Sequence, residues 1–142
     1  MTRREVRLHC RLSKPAIPKD ALVAFGLDVL GRLALEGEVG VKLCSDATMA
    51  TYNRKYRHRA GPTDVLSFPD GSLRHEGGVY LGDIVIAVPV AGRQAKEAGH
   101  ALAVELQILL LHGLLHLAGY DHETDGGTMA RKERALRKEW GI

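Results

Sequence analysis

The chain predicts an α+β domain, a four-stranded mixed β-sheet packed with helices around one central helix. Three observations predict it. Glu5 to Leu12 alternates apolar and charged residues with the two-residue period of a half-buried strand. The most apolar run, Ile108 to Ala118, is shorter than the roughly 20 residues a membrane span needs and reads as a buried helix. Strand-like and helix-like segments are interspersed without internal repeats, low-complexity tracts or linkers, and 142 residues that are 45% hydrophobic suit one globular domain, residues 1–142.

The elements follow in order. In the first strand Val6, Leu8, Cys10 and Leu12 share one face, opposite mostly charged residues. Pro18 opens a helix at its first turn, continuing to about Leu35 with an apolar stripe of Leu22, Phe25, Val29, Leu30 and Leu33. Gly37 and Gly40 bracket its exit, and Val39 to Leu43 suits a second strand. Ser45 can cap a short helix reaching about Lys55, after which a basic loop is expected. Val65 to Phe68, between Pro62 and Pro69, reads as a short edge strand, because proline cannot donate to a sheet ladder. Tyr80 to Val88 is the fourth strand, ended by Pro89. Helical pattern resumes from about Ala91 to Leu117, broken near Gly99, and an amphipathic helix runs from about Asp125 to Glu139.

Charge and cysteine content constrain the setting. A net charge of +3 is too small to identify a nucleic-acid partner, so any such footprint must be local. Cys10 and Cys44 have no metal-pair spacing and suit reduced thiols of a cytosolic protein. The stretch MTRREVRLHCRLSKP has no apolar core of a secretory signal, so a cytoplasmic location with no membrane association is expected.

The stretch HGLLHLAGYDH carries the most specific chemistry. On a helix, His112 and His116 project from one face a turn apart, within reach of a single ion. Gly119 can end the helix in the left-handed conformation and turn the chain back, so that His122 returns as third ligand. Three imidazoles on one Zn²⁺ per chain leave a fourth position for water, the arrangement of a catalytic site. Cys44, Asp121 and Glu105 are the candidates for a closed fourth ligand. Glu105 lies two turns before His112, too far to share its ion, and Asp121 better suits orienting a ligand from behind. The spacing is that of the metzincin signature, a zincin-like, metal-bearing central helix, but Gly113 stands where those proteases carry their general-base glutamate.

The whole string resembles the signature of the YbeY family of bacterial zinc-dependent single-strand endoribonucleases. LGDIVIAV from Leu81, QAKEAGH from Gln94, Glu105, and YRHRAGPTDVLSFP from Tyr56 resemble that family's other blocks in the same order, from about Val39 to the C terminus. Ala87 and Ala101 stand where serine is common in that family and Asp64 where some members carry asparagine, and none is a proposed ligand. The resemblance implies small-subunit rRNA 3′-end maturation and ribosome quality control, with single-stranded RNA, rRNA and the small ribosomal subunit as partners and no DNA. It also singles out Arg57 as a catalytic arginine near the zinc pocket, where a guanidinium suits paired contacts to phosphate oxygens. Metal-bound water attacking the phosphodiester is the chemistry expected, with no general base identifiable.

Tyr52 to Arg59 alternates basic and aromatic residues, a mixture that can grip phosphates and stack bases, or equally a solvated helix end with inward tyrosines. The basic run near the C terminus, with Glu133 and Glu139 among its cations, reads as a solvated helix face. Met129 reads as core; His9, His75 and His100 receive no catalytic role, though His100 could support the helix before the site, and His58 stays open. Two other classes compete: a metzincin-like metalloprotease, favoured by spacing alone, and a non-catalytic zinc module that binds RNA or the ribosome.

Overall fold

A computed structural model describes residues 3–74, 77–121 and 125–142, and among them four strands and five helices occur in the expected order. They are β1 (Arg4–Cys10), α1 (Lys19–Arg32), β2 (Gly37–Cys44), α2 (Asp46–Arg57), β3 (Val65–Leu73), β4 (Val79–Ala87), α3 (Val88–Ala98), α4 (Leu102–Leu117) and α5 (Thr128–Trp140). The sheet has the order β1-β2-β4-β3, with β3 antiparallel to β4 and the other pairs parallel, so it is mixed. His75 and His122 lie outside the described residues.

Alternation decides which face each strand buries. Val39, Val41 and Leu43 of β2 join Ile84 and Ile86 of β4 in one core with Phe25, Val29 and Leu30 of α1 and the apolar side chains of α4. Cys44, Val85 and Ala87 point the other way, into a smaller cluster closed by Met49 of α2. Helix α4 is the central helix: Leu110, Leu111, Leu114 and Leu115 are fully buried, each worth about 1.5–3 kcal/mol relative to exposure. No single helix among the described residues is long and apolar enough to cross a membrane; α3 and α4 reach that length only as a pair bent by 113°.

Several boundaries differ from the sequence expectation, each for a local reason. Helix α2 runs past Lys55 to Arg57, where cationic side chains complement the carbonyl end, and His58 stops it in the left-handed conformation. Tyr56 and Arg57 therefore belong to its last turn and not to a loop. Strand β3 continues through Pro69 to Leu73 with a register shift between Pro69 and Ser72, which its edge position tolerates. Pro89 sits in the first turn of α3, so β4 ends at Ala87. The break near Gly99 separates two helices, with Gly99 left-handed at φ 76°. Asp125 precedes α5 instead of beginning it, and its carboxylate accepts from the backbone N–H of Gly127 (3.0 Å) and Met129 (2.8 Å).

One glycine lets the central helix settle onto the sheet. Gly82 in β4 has φ 143°, and a Cβ there would run into the Phe68 carbonyl and lie 2.9 Å from Leu117 Cδ2 at the end of α4.

Candidate metal centre

The last two turns of α4 carry His112 and His116 on one face, as their spacing dictates. Their Nε2 atoms are 3.2 Å apart. Two nitrogens bound tetrahedrally to one zinc at 2.0–2.1 Å stand about 3.3 Å apart, so the pair is already at ligand spacing. The other ring nitrogens are committed elsewhere. His112 Nδ1 lies 2.7 Å from the Glu133 carboxylate, and His116 Nδ1 lies 3.0 Å from the Tyr120 carbonyl. Both partners accept, so both Nδ1 atoms donate, and in the neutral ring this selects the tautomer whose Nε2 lone pair a metal would take. Two lone pairs converging at this distance repel unless a cation or a proton sits between them. The donor set therefore fits a zinc ion.

Each partner has a structural origin. Gly119, at φ 102°, turns the chain after α4 and swings the Tyr120 carbonyl back onto His116. Glu133 projects from α5 between buried Met129 and Leu136, so the apolar period of α5 aims it inward. The solvated-face reading fails for this residue, whose side chain is only 21% exposed. The spacing of Met129, Glu133 and Leu136 on one helix face was the available signal. The Glu133 hydrogen bond raises the His112 pKa above the ordinary imidazole value against the opposing effect of burial, and the charges of Glu133 and Asp64 add to the rise.

Of the three sequence-predicted ligands, the structure brings two together; His122 lies outside the described residues. Among the described residues no group of three or more histidine, cysteine or acidic side chains is placed to hold a metal. Cys44 is packed with Met49 and Leu66 on the opposite face of the sheet, where burial pushes its thiol pKa up. Buried Glu105 is bonded to His100 Nε2 at 2.7 Å, so His100 braces the start of α4. Met129 is core.

Arg57, at the end of α2, lines the same groove of about 1150 Å³ as His112 and His116. Its guanidinium donates to the Ser67 carbonyl at 3.5 Å, and the Ser67 hydroxyl donates to the Gly113 carbonyl at 3.4 Å. Buried Ser67 on β3 thus ties the arginine to the histidine helix, a link that sequence spacing gave no signal for. Asp64 also lines the groove, with one carboxylate oxygen accepting from Val65 N–H at 2.8 Å and the other from Gln94 at 3.3 Å.

Gly113 has a packing reason. A Cβ there would meet Ile84 Cγ2 at 2.9 Å, and Ile84 is fully buried with a stiff, β-branched side chain. Overpacking costs about 1–3 kcal/mol, against a helix-propensity gain of about 1 kcal/mol for alanine over glycine. Gly113→Ala is therefore expected to lower stability by up to about 2 kcal/mol, and Gly113→Glu by more, as read from urea midpoints. An alanine variant as stable as wild type would show that Ile84 yields freely.

A model of the family described as Endoribonuclease YbeY matches residues 19–141. Among curated proteins, the chain is 41% identical over 137 residues to an Endoribonuclease YbeY of Aquifex aeolicus, covering 94% of this chain and 89% of that protein. It is 48% identical over 115 residues to one of Moorella thermoacetica, covering 73% and 74% respectively. Among solved structures, the solution structure of TM1509 from Thermotoga maritima superposes with a TM-score of 0.64 at 26% identity, covering 96% of this chain and 89% of that one.

Proposed function

The chain belongs to the Endoribonuclease YbeY family and is a hydrolytic endoribonuclease, and we propose that it cuts single-stranded RNA in the α4 groove with one zinc held by His112, His116 and His122. The observation that carries this reading is the convergence of two Nε2 atoms whose rings are locked by Glu133 and Tyr120, in one groove with Arg57. When bound, zinc would supply a water ligand acidified far below bulk water, to a pKa of about 7, and a Lewis acid for a phosphoryl oxygen.

The chain's own residues do the rest. Arg57 binds the phosphate and neutralises charge that builds on its oxygens. The Ser67 carbonyl holds that guanidinium in place. Glu133 and Tyr120 keep both histidine rings in the ligand tautomer. A glutamate base at position 113 has no room beside Ile84, which argues against a metalloprotease. The relatives' name argues against a purely non-catalytic zinc module. Small-subunit rRNA 3′-end maturation and ribosome quality control in the cytoplasm are the setting we propose, on family resemblance.

The test compares zinc-loaded wild type with His116→Ala on single-stranded RNA, duplex RNA and unfolded polypeptide. Zinc-dependent RNA cutting that the variant loses is expected, and polypeptide cutting would reverse the assignment. Unpaired RNA should be cut faster than duplex, because a stacked A-form helix is hard to bend into a recessed groove. Equal rates on a hairpin's stem and loop at the same salt and zinc would refute that preference. Glu133→Ala should weaken zinc about 10–100-fold, the usual worth of a ligand's outer partner. A competition titration with a chelating dye reads it, and unchanged affinity would remove Glu133 from the site.

A further inference from the structure

The groove wall next to Arg57 holds an aromatic ring that the chemistry above does not use. Tyr56 lines the groove and is 48% exposed, one of three exposed large hydrophobic residues among the described residues. A single exposed tyrosine is unremarkable by itself. This one is built into place. Its ring stacks on Tyr52, with centroids 6.0 Å apart and planes 22° apart, and meets Phe68 edge-on at 5.2 Å. Tyr52 and Phe68 in turn pack against the Met49 cluster under the sheet. Lys55 Nζ lies over the ring, 5.2 Å from the Tyr56 centroid, a cation–π contact on an exposed, flexible side chain that an arriving base would displace. The alternation of basic and aromatic residues is thereby divided: Tyr52 serves the core and Tyr56 presents its ring to the groove.

We infer that Tyr56 is a nucleobase subsite, the platform on which a base of the nucleotide adjoining the Arg57-bound phosphate stacks. The inference rests on the reading of the groove as the RNA site. A base and its phosphate belong to one nucleotide unit, and Tyr56 and Arg57 are consecutive residues in the last turn of α2 that line one groove. A ring already fixed by two aromatic neighbours loses little entropy when a base covers it, and every base has a face to offer, so such a site is tolerant of sequence. It is intolerant of pairing. A base inside a duplex is already stacked on both faces, and the subsite thus selects unpaired RNA independently of backbone stiffness.

The experiment has two arms. In the first, kcat/KM is measured on a short single-stranded RNA with one mapped cleavage site, and on copies in which each nucleotide flanking that site is made abasic. Wild type is compared with Tyr56→Phe, Tyr56→Leu and Tyr56→Ala, after zinc content and circular dichroism show each to be folded and loaded. Tyr56→Ala and Tyr56→Leu should lose about 5- to 150-fold, the range for removing one aromatic–base stack, chiefly through KM, while Tyr56→Phe stays near wild type. One abasic position should cost wild type a similar factor and cost Tyr56→Ala nothing further. Additive losses at every position, or leucine as active as phenylalanine, would overturn the subsite. In the second arm, 2-aminopurine at that position reports stacking by quenching when metal-free protein binds the RNA. Quenching kept by phenylalanine and lost by leucine supports the inference; equal quenching in all variants overturns it. If wild type binds and quenches but does not cut, the endoribonuclease reading fails and the base subsite stands.

Discussion

Replacing His116 with alanine is expected to strip zinc from the protein and reduce RNA cleavage to background. The loss should exceed the about 10–100-fold typical of a ligand's outer partners, because a ligand itself is removed. His112→Ala and His122→Ala should do the same, whereas Cys10→Ser and Cys44→Ser should keep one zinc per chain. Cys44 is sealed behind Met49 on the other face of the sheet, and Cys10 packs at the edge of the main core, so neither lines the groove. Elemental analysis of the dialysed proteins reads the metal directly. After chelation, added zinc should restore cutting to wild type and not to His116→Ala. A cysteine variant that lost its zinc, or a His116→Ala protein that kept it, would end the three-histidine model.

Arg57→Ala should lower kcat by about 10²–10³, the cost of removing one donor to developing transition-state charge, while zinc content stays at wild type. The side chain is exposed on the last turn of α2, so its loss takes only the small helix-end contribution of a cation, about 0.3–1 kcal/mol, from stability. That makes the activity loss readable as chemistry and not as unfolding. Arg57→Lys should recover only part of the rate, since lysine restores charge but not the planar pair of donors. A loss confined to KM that fades at high salt would reduce Arg57 to electrostatic attraction. Full activity in the alanine variant would remove it from the mechanism.

The separate signatures of Arg57 and Tyr56 follow from their positions. Arg57 is held by the Ser67 carbonyl at the groove that carries the histidines, so in the proposed mechanism its effect should fall on the reacting phosphate. Tyr56 offers a ring face and no charge, so its effect falls on the binding of a base before and during reaction alike. The first loss should therefore appear in kcat and the second chiefly in KM, and neither should fade at high salt.

Much of the fold was legible because the signals are local. The two-residue alternation of β1, the apolar stripe of α1 and the strongly apolar run of α4 each report a buried face. The errors were local too. By local signals proline stops the strands at Val88 and Phe68, yet Pro89 lies in the first turn of α3 and Pro69 lies within edge strand β3. Proline removes one donor, and what that means depends on whether a partner was waiting for it.

The sequence by itself determined the pairing of His112 with His116, since four residues along a helix fix the direction of two side chains whatever surrounds them. It also determined the turn at Gly119, which needs only a residue free to adopt positive φ. Tertiary structure alone decided that Glu133 orients His112 from another helix, that Ser67 joins Arg57 to the histidine helix, and that Ile84 excludes a side chain at Gly113. Residues far apart in the chain meet because helices and strands bury their apolar faces together. Burial is non-directional, so a local pattern states which face turns inward and the packing of all the elements selects which polar groups then meet.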